Sequence, residues 1–192
     1  DLLLIGRFTM MAAGVGTIWL VYLVGEKFFN KRIGLIAAFF LAFSFLHVKE
    51  SHYLKEGNLS AFFALLCFYF VLKIMRSGNK WDYLRAGISL GFGIGTKYEP
   101  ILMMPIILFA HVLHFKKITS KNLKYSIFGI LPSLLLTFPY LFLQPFEFYK
   151  KFLSEFKLTT IVYPLYLQGK PVWWWFLYVH IPQGLGTAVY TA

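Results

Sequence analysis

The feature that most constrains this chain is a series of long apolar blocks separated by short polar segments. The longest blocks approach the ~17–25 residues that a helix needs to cross a bilayer. Hydrophobic residues make up 58% of the sequence and charged residues 14%. Because the apolar residues are grouped rather than alternating, the pattern predicts an all-α, polytopic transmembrane helix bundle. We expect spans at about residues 8–24, 33–47, 58–75, 84–97, 100–115 and 125–143, and a seventh that starts near 172.

Positive charge is concentrated in alternate connecting segments. Segments 25–32, 73–85 and 116–124 are basic, whereas 47–58 and 97–99 balance basic with acidic residues. Short basic connections are typical of the cytoplasmic side of a membrane. The alternation requires a turn at "TKYEP" (96–100) between two separate helices. It predicts an integral protein of the cell membrane, with its reactive connections and any active site on the extracytoplasmic side.

Other whole-chain properties exclude two further interpretations. The formal net charge is +11, but the lysines and arginines lie between apolar blocks rather than on one basic face, so no nucleic-acid partner is expected. Cys67 is the single cysteine, so an intrachain disulfide is excluded. Because the chain begins "DLLLIGRF" without an initiator methionine, we expect an internal piece of a longer protein.

Segment 144–171 differs from the apolar blocks. Aromatic and leucine side chains recur there at steps of three and four residues, with acidic and basic side chains between them. This spacing predicts a short amphipathic helix lying in the extracytoplasmic membrane interface. The run "VWWWF" (172–176) would then place aromatic rings at the headgroup level. The apolar face comprises Phe146, Tyr149, Phe152, Leu153 and Phe156.

The stretch "HVKESHYLKEGN" (47–58) is the main candidate site. If the preceding helix continues for two more turns, His52, Lys55 and Glu56 share one face. His47, Glu50 and Ser51 would form a neighbouring stripe. Carboxylates beside imidazole and ammonium groups suit phosphate binding or the holding of a sugar hydroxyl. A solvated loop of self-compensating charges is the alternative interpretation.

Other polar groups are weaker candidates. His52 and Glu56 have a spacing that suits a metal, but no third ligand is assigned. Lys97 is either a functional cation or a group that reaches the interface or pairs with Glu99. Arg7 is interpreted as an interfacial anchor rather than a ligand. The glycines of "GISLGFGIGTKYEP" (87–100) favour close helix packing rather than a phosphate loop.

Three stretches together resemble a known family. They are "GEKFFNKRIG" (25–34) followed by an apolar helix and "SHY" (51–53), then "TKY" (96–98), then "PYLFLQP" (139–145). This order is similar to that of the dolichyl-phosphate-mannose protein mannosyltransferase-like family. These proteins are C-superfamily glycosyltransferases, which also include the enzyme that adds aminoarabinose to lipid A. The resemblance covers nearly the whole chain.

The resemblance implies a membrane enzyme that moves a sugar from a polyprenyl-phosphate donor to an extracytoplasmic protein or lipid acceptor. Lys55, Lys97, His52, Tyr98 and His47 are the expected substrate-binding residues. Glu56 and Glu50 are the expected catalytic carboxylates, which would orient the acceptor or a divalent metal ion. The family's general base is an aspartate in a loop that would precede Asp1.

Two other classes of protein remain open from the sequence alone. A transporter or flippase subunit would also have many spans with charged groups among them. A catalytically silent assembly or scaffold protein is the second alternative. The concentration of polar residues in alternate connections favours the enzyme.

Overall fold

A computed structural model describes residues 2–117, 121–166, 174, 177–178 and 181. Within these ranges the secondary structure is helical and contains no strand, which confirms the predicted all-α membrane bundle. A 3₁₀ turn, Glu99–Leu102, precedes α6. The helices are α1 (Leu2–Phe28), α2 (Lys31–Ala42), α3 (Phe45–His52), α4 (Glu56–Ser77), α5 (Lys80–Thr96), α6 (Met103–Phe115), α7 (Leu123–Thr137), α8 (Tyr140–Leu143) and α9 (Pro145–Tyr166).

Two of the described helices, α1 and α4, are long and apolar enough to cross a membrane alone. The pair α2 and α3 would make a third span, bent by 60° at its break. The remaining apolar helices α6 and α7 are shorter. The expected seventh span, from about residue 172, lies almost wholly outside the described residues.

The expected helix over 33–47 is broken in its last turn. Ser44 leaves the helical conformation, with ψ 119°, and α3 then starts in a new direction. The apolar run has neither proline nor glycine at this point, so no local residue predicts the break. Helix α3 then packs on α1 through the contacts described below.

The turn at "TKYEP" is confirmed. Helix α5 ends at Thr96, and Lys97 has an extended backbone with φ −158°. Pro100 lies in the 3₁₀ turn that follows, where its missing N–H is tolerated. Residues 84–115 are therefore two helices rather than one.

The buried core lies where α4, α5, α6 and α7 pack. It is formed by apolar side chains of all four helices, and one polar pair is enclosed with them. The Tyr83 hydroxyl and His111 Nδ1 share a hydrogen bond of 2.6 Å, and both side chains are fully buried. Core residues are Cys67, Val71, Ile74, Tyr83, Ala86, Leu90, Ile107, Ala110 and Ile130.

Helix α5 crosses α7 at very short range because glycines face backbone atoms. A Cβ on Gly87 would collide with the carbonyl oxygen of Ser126, and one on Gly129 would lie 2.4 Å from that of Leu84. Gly91 and Gly95 instead face the side-chain hydroxyls of Ser133 and Thr137. The close packing predicted for the glycine-rich run is thus present, with α7 as the partner.

The three basic connections meet at one end of the bundle. Arg76 donates to the Lys27 carbonyl at 2.9 Å, and Asn122 donates to the Gly78 carbonyl at 2.9 Å. Asp82, which is almost fully buried, is paired with Lys73 at 3.1 Å. We call this end the basic end. The connections that carry the candidate site residues lie at the opposite end.

This arrangement makes the topology testable with single cysteines. Lys31→Cys, Lys80→Cys and Lys121→Cys should react with an impermeant thiol reagent from one side of the membrane, and Lys55→Cys from the other. Cys67 is fully buried, so its background should be low. Labelling of Lys55→Cys and Lys121→Cys from the same side would contradict the topology.

Helix α9 contacts the end opposite the basic end through aromatic rings. Phe148 lies 5.4 Å from Phe138, and Phe152 lies 6.0 Å from Tyr98, between ring centroids. The predicted amphipathic segment is therefore a helix, but Phe148, outside the expected apolar stripe, is one of its inward contacts. Phe146 and Tyr149 remain largely exposed.

Candidate functional site

Helix α3 is held against α1 by polar side chains that reach backbone carbonyls. His47 Nε2 lies 3.2 Å from the carbonyl oxygen of Gly14, to which it can only donate. The amide of the buried Asn58 donates to the Met10 carbonyl at 2.8 Å. A side chain at position 14 would collide with Ser51, so Gly14 allows the close approach. His47, which was predicted to bind substrate, therefore uses Nε2 to hold α3 against α1.

The expected face of His52, Lys55 and Glu56 is not formed. Helix α3 ends at His52, Tyr53 has an extended backbone, and Glu56 begins α4. Since no helix joins His52 to Glu56, their i, i+4 spacing does not make a metal-binding pair. The neighbouring stripe is present, because His47, Glu50 and Ser51 are the part-buried residues of α3.

Beside this break, α1 and the end of α3 form an open groove of about 690 Å³. Arg7 and His52 are its charged or titratable lining groups, and the remaining wall is mostly apolar. Such a groove suits a ligand with an anionic head and a hydrocarbon chain. Its lining residues are Leu4, Ile5, Arg7, Phe8, Thr9, Met11 and His52.

The Lys97 turn forms a second group at the same end of the bundle. Lys97 Nζ lies 2.6 Å from a carboxylate oxygen of Glu99, and both side chains are partly exposed. Tyr98 is half-exposed and contacts Phe152 of α9 edge-on. Phe63 of α4 stacks on Phe92 beside this turn, about two helical turns from Glu56. The pairing with Glu99 was one of the two alternatives predicted for Lys97.

Glu50, Lys55 and Glu56 do not line the groove. Lys55 and Glu56 are exposed, and the Lys55 ammonium lies 6.0 Å from the Tyr53 ring centroid. Over the described residues, no group of three or more His, Cys, Asp or Glu side chains is placed to hold a metal ion.

Two residues at the groove end of the bundle, Arg7 and Asn58, have roles that the sequence analysis did not predict. Arg7 lines the groove, although its position before an apolar block suggested only an anchor. Asn58 is 5% exposed and ties α4 to α1. Asn58 lies at the boundary between the polar stretch 47–58 and the apolar block that follows, and a polar group that becomes buried there requires a partner.

Comparison with known proteins gives one family and one curated relative. Residues 3–142 match the sequence model described as dolichyl-phosphate-mannose-protein mannosyltransferase. The chain is also 30% identical over 122 residues to "Putative mannosyltransferase YkcB" of Bacillus subtilis (strain 168). That alignment covers 64% of this chain and 17% of the relative. No solved structure matches significantly.

Proposed function

Because the chain belongs to the dolichyl-phosphate-mannose-protein mannosyltransferase family, we propose that it forms part of a membrane glycosyltransferase using a polyprenyl-phosphate sugar as donor. The family match confirms the resemblance that the sequence motifs indicated. The observation that best supports a polyprenyl-phosphate donor is the largely apolar groove that Arg7 and His52 line. We propose the first sugar to test as mannose, and a protein or lipid as acceptor.

The groove has the two properties that a polyprenyl phosphate requires. Leu4, Ile5 and Phe8 supply apolar wall for isoprene units, and Arg7 supplies a planar guanidinium that can bind two phosphate oxygens at once. His52 can donate a further hydrogen bond. The groove lies away from the basic end, so we propose that it opens on the extracytoplasmic side.

The Lys97 turn is the second part of the proposed site. Lys55 and Lys97 carry ammonium groups that would stabilise negative charge on the departing phosphate. Lys97 is ion-paired with Glu99 at the surface of the bundle. Tyr98, in contact with α9, would border the sugar.

The proposed chemistry is an inverting displacement at the anomeric carbon. A carboxylate removes the proton of the acceptor hydroxyl, whose oxygen attacks the carbon from the face opposite the phosphate. The bond between that carbon and the phosphate oxygen breaks, and the lipid phosphate leaves with the electron pair. Glu56 and Glu50 are proposed to orient the acceptor through hydrogen bonds.

Removing the Arg7 guanidinium tests whether the groove binds the lipid phosphate of the donor. In the full-length protein, Arg7→Gln should raise the Kd for undecaprenyl phosphate about tenfold, which is ~1.4 kcal/mol. His52→Gln should have a smaller effect in the same direction, since it keeps a donor. Binding of radiolabelled undecaprenyl phosphate measures both.

Arg32→Gln is the matched control for this experiment. Arg32 is exposed and lies at the basic end, so its loss removes the same charge far from the groove. Its Kd should stay close to that of the parent protein. Equal Kd values for the Arg7 and Arg32 variants would show that the groove does not bind the donor.

A further inference from the structure

A second groove lies between the first half of α6 and the first half of α7, and its α7 side begins with Leu123 at the basic end. Helix α6 packs on α4 and α7 packs on α5, which leaves a space of about 410 Å³ between them. Apart from Ser126, its lining is apolar, so an apolar occupant is required. The lining residues are Met104, Pro105, Ile107, Leu108, Leu123, Ser126, Ile127 and Ile130.

The charge at one end of this groove is strongly positive. Lys116 and Lys117 follow α6, while Lys121 and Lys124 flank Leu123, which itself lines the groove. All four lysines are exposed. In the described part of the chain none of them forms an ion pair with a carboxylate.

The surroundings do not neutralise this charge. Asp82, the acid of the neighbouring connection, is almost fully buried and already paired with Lys73 and, at 3.8 Å, Arg85. Lys80 adds a fifth ammonium, 5.9 Å from the ring centroid of Tyr125 in α7. The groove mouth therefore offers several cations to an anionic group from outside the chain.

We propose that the α6–α7 groove binds an anionic phospholipid of the bilayer. One acyl chain lies along Leu108 and Ile127, and the phosphate is held by the four lysines. Basic clusters next to membrane helices attract anionic headgroups electrostatically. This site is separate from the donor groove, so it does not rest on the proposed transferase activity.

Native mass spectrometry of the delipidated full-length protein tests whether the groove prefers an anionic headgroup. Phosphatidylglycerol should bind at least about tenfold more tightly than phosphatidylcholine with identical acyl chains. Replacing Lys117, Lys121 and Lys124 with glutamine should abolish that preference. Replacing Lys150, Lys151 and Lys157 of α9 instead should preserve it.

A matched pair of tryptophan variants tests the groove itself. Ile127→Trp should fill it and lower phosphatidylglycerol binding about tenfold. Leu135→Trp should not, since Leu135 is equally exposed, at 52% against 54%, but does not line the groove.

Several results would overturn the proposal. Equal binding of the two phospholipids, or equal effects of the two tryptophan variants, would contradict it. Displacement of phosphatidylglycerol by equimolar undecaprenyl phosphate would assign the groove to the donor chain. A change of oligomeric state in Ile127→Trp alone would assign it to a second copy of the protein.

Discussion

Gly87→Ala should destabilise the bundle by ~1–3 kcal/mol, although alanine is the better helix former. The added methyl would collide with the Ser126 carbonyl oxygen in α7. Since that atom belongs to the backbone, it cannot rotate away, and the two helices must separate. The midpoint of unfolding in sodium dodecyl sulfate should fall accordingly.

Gly57→Ala is the control for this prediction. Position 57 lies in the first turn of α4, and an added Cβ would meet no atom within 4 Å. This variant should be neutral or up to ~1 kcal/mol more stable, because the unfolded chain loses conformational freedom. Equal unfolding midpoints for the two variants would show that α5 and α7 do not cross at Gly87.

Lys97→Met should lower sugar transfer from polyprenyl-phosphate mannose by ~10²-fold, about 2.7 kcal/mol of transition-state stabilisation. Methionine keeps most of the side-chain volume but removes the charge proposed to assist the departing phosphate. Because the effect arises in the transition state, kcat should fall more than the affinity for donor changes. Glu56→Gln should lower transfer to a similar extent by weakening the hold on the acceptor.

Glu99→Gln separates this function from a purely structural ion pair. If Lys97 serves only to pair with Glu99, the Gln variant should lose as much activity as Lys97→Met. We expect it to keep transfer near the parent rate, because Lys97 remains charged. The unfolding midpoint of each variant should match that of the parent protein. A match excludes misfolding as the cause of any loss of activity.

The contrast between two breaks shows what the sequence could predict. The turn at "TKYEP" was predictable because basic connections alternate with balanced ones only if two separate helices meet there. The break at Ser44 was not, since apolar residues surround it and the extended backbone is compensated by distant contacts. His47 reaches Gly14, thirty-three positions away along the chain.

The same limit explains why the expected common face of His52, Lys55 and Glu56 was wrong. Placing His52 and Glu56 on one face assumed a continuous helix, which local spacing alone cannot establish. Helix α3 ends at His52, and its packing on α1 places Arg7 in the same groove as His52. By contrast, the apolar blocks and basic connections are local properties, and they predicted the helical bundle and the segments that share its basic end.

The unequal lengths of the helices have a consequence for the surrounding bilayer. Helix α1 has 27 residues, whereas α6 has 13 and α7 has 15. At 1.5 Å per residue, α1 is ~40 Å long and the other two are only ~20 and ~22 Å. The hydrocarbon layer is ~30 Å thick, so the short flank has a negative hydrophobic mismatch. We therefore expect the bilayer to be thinner beside α6 and α7 than elsewhere around the protein.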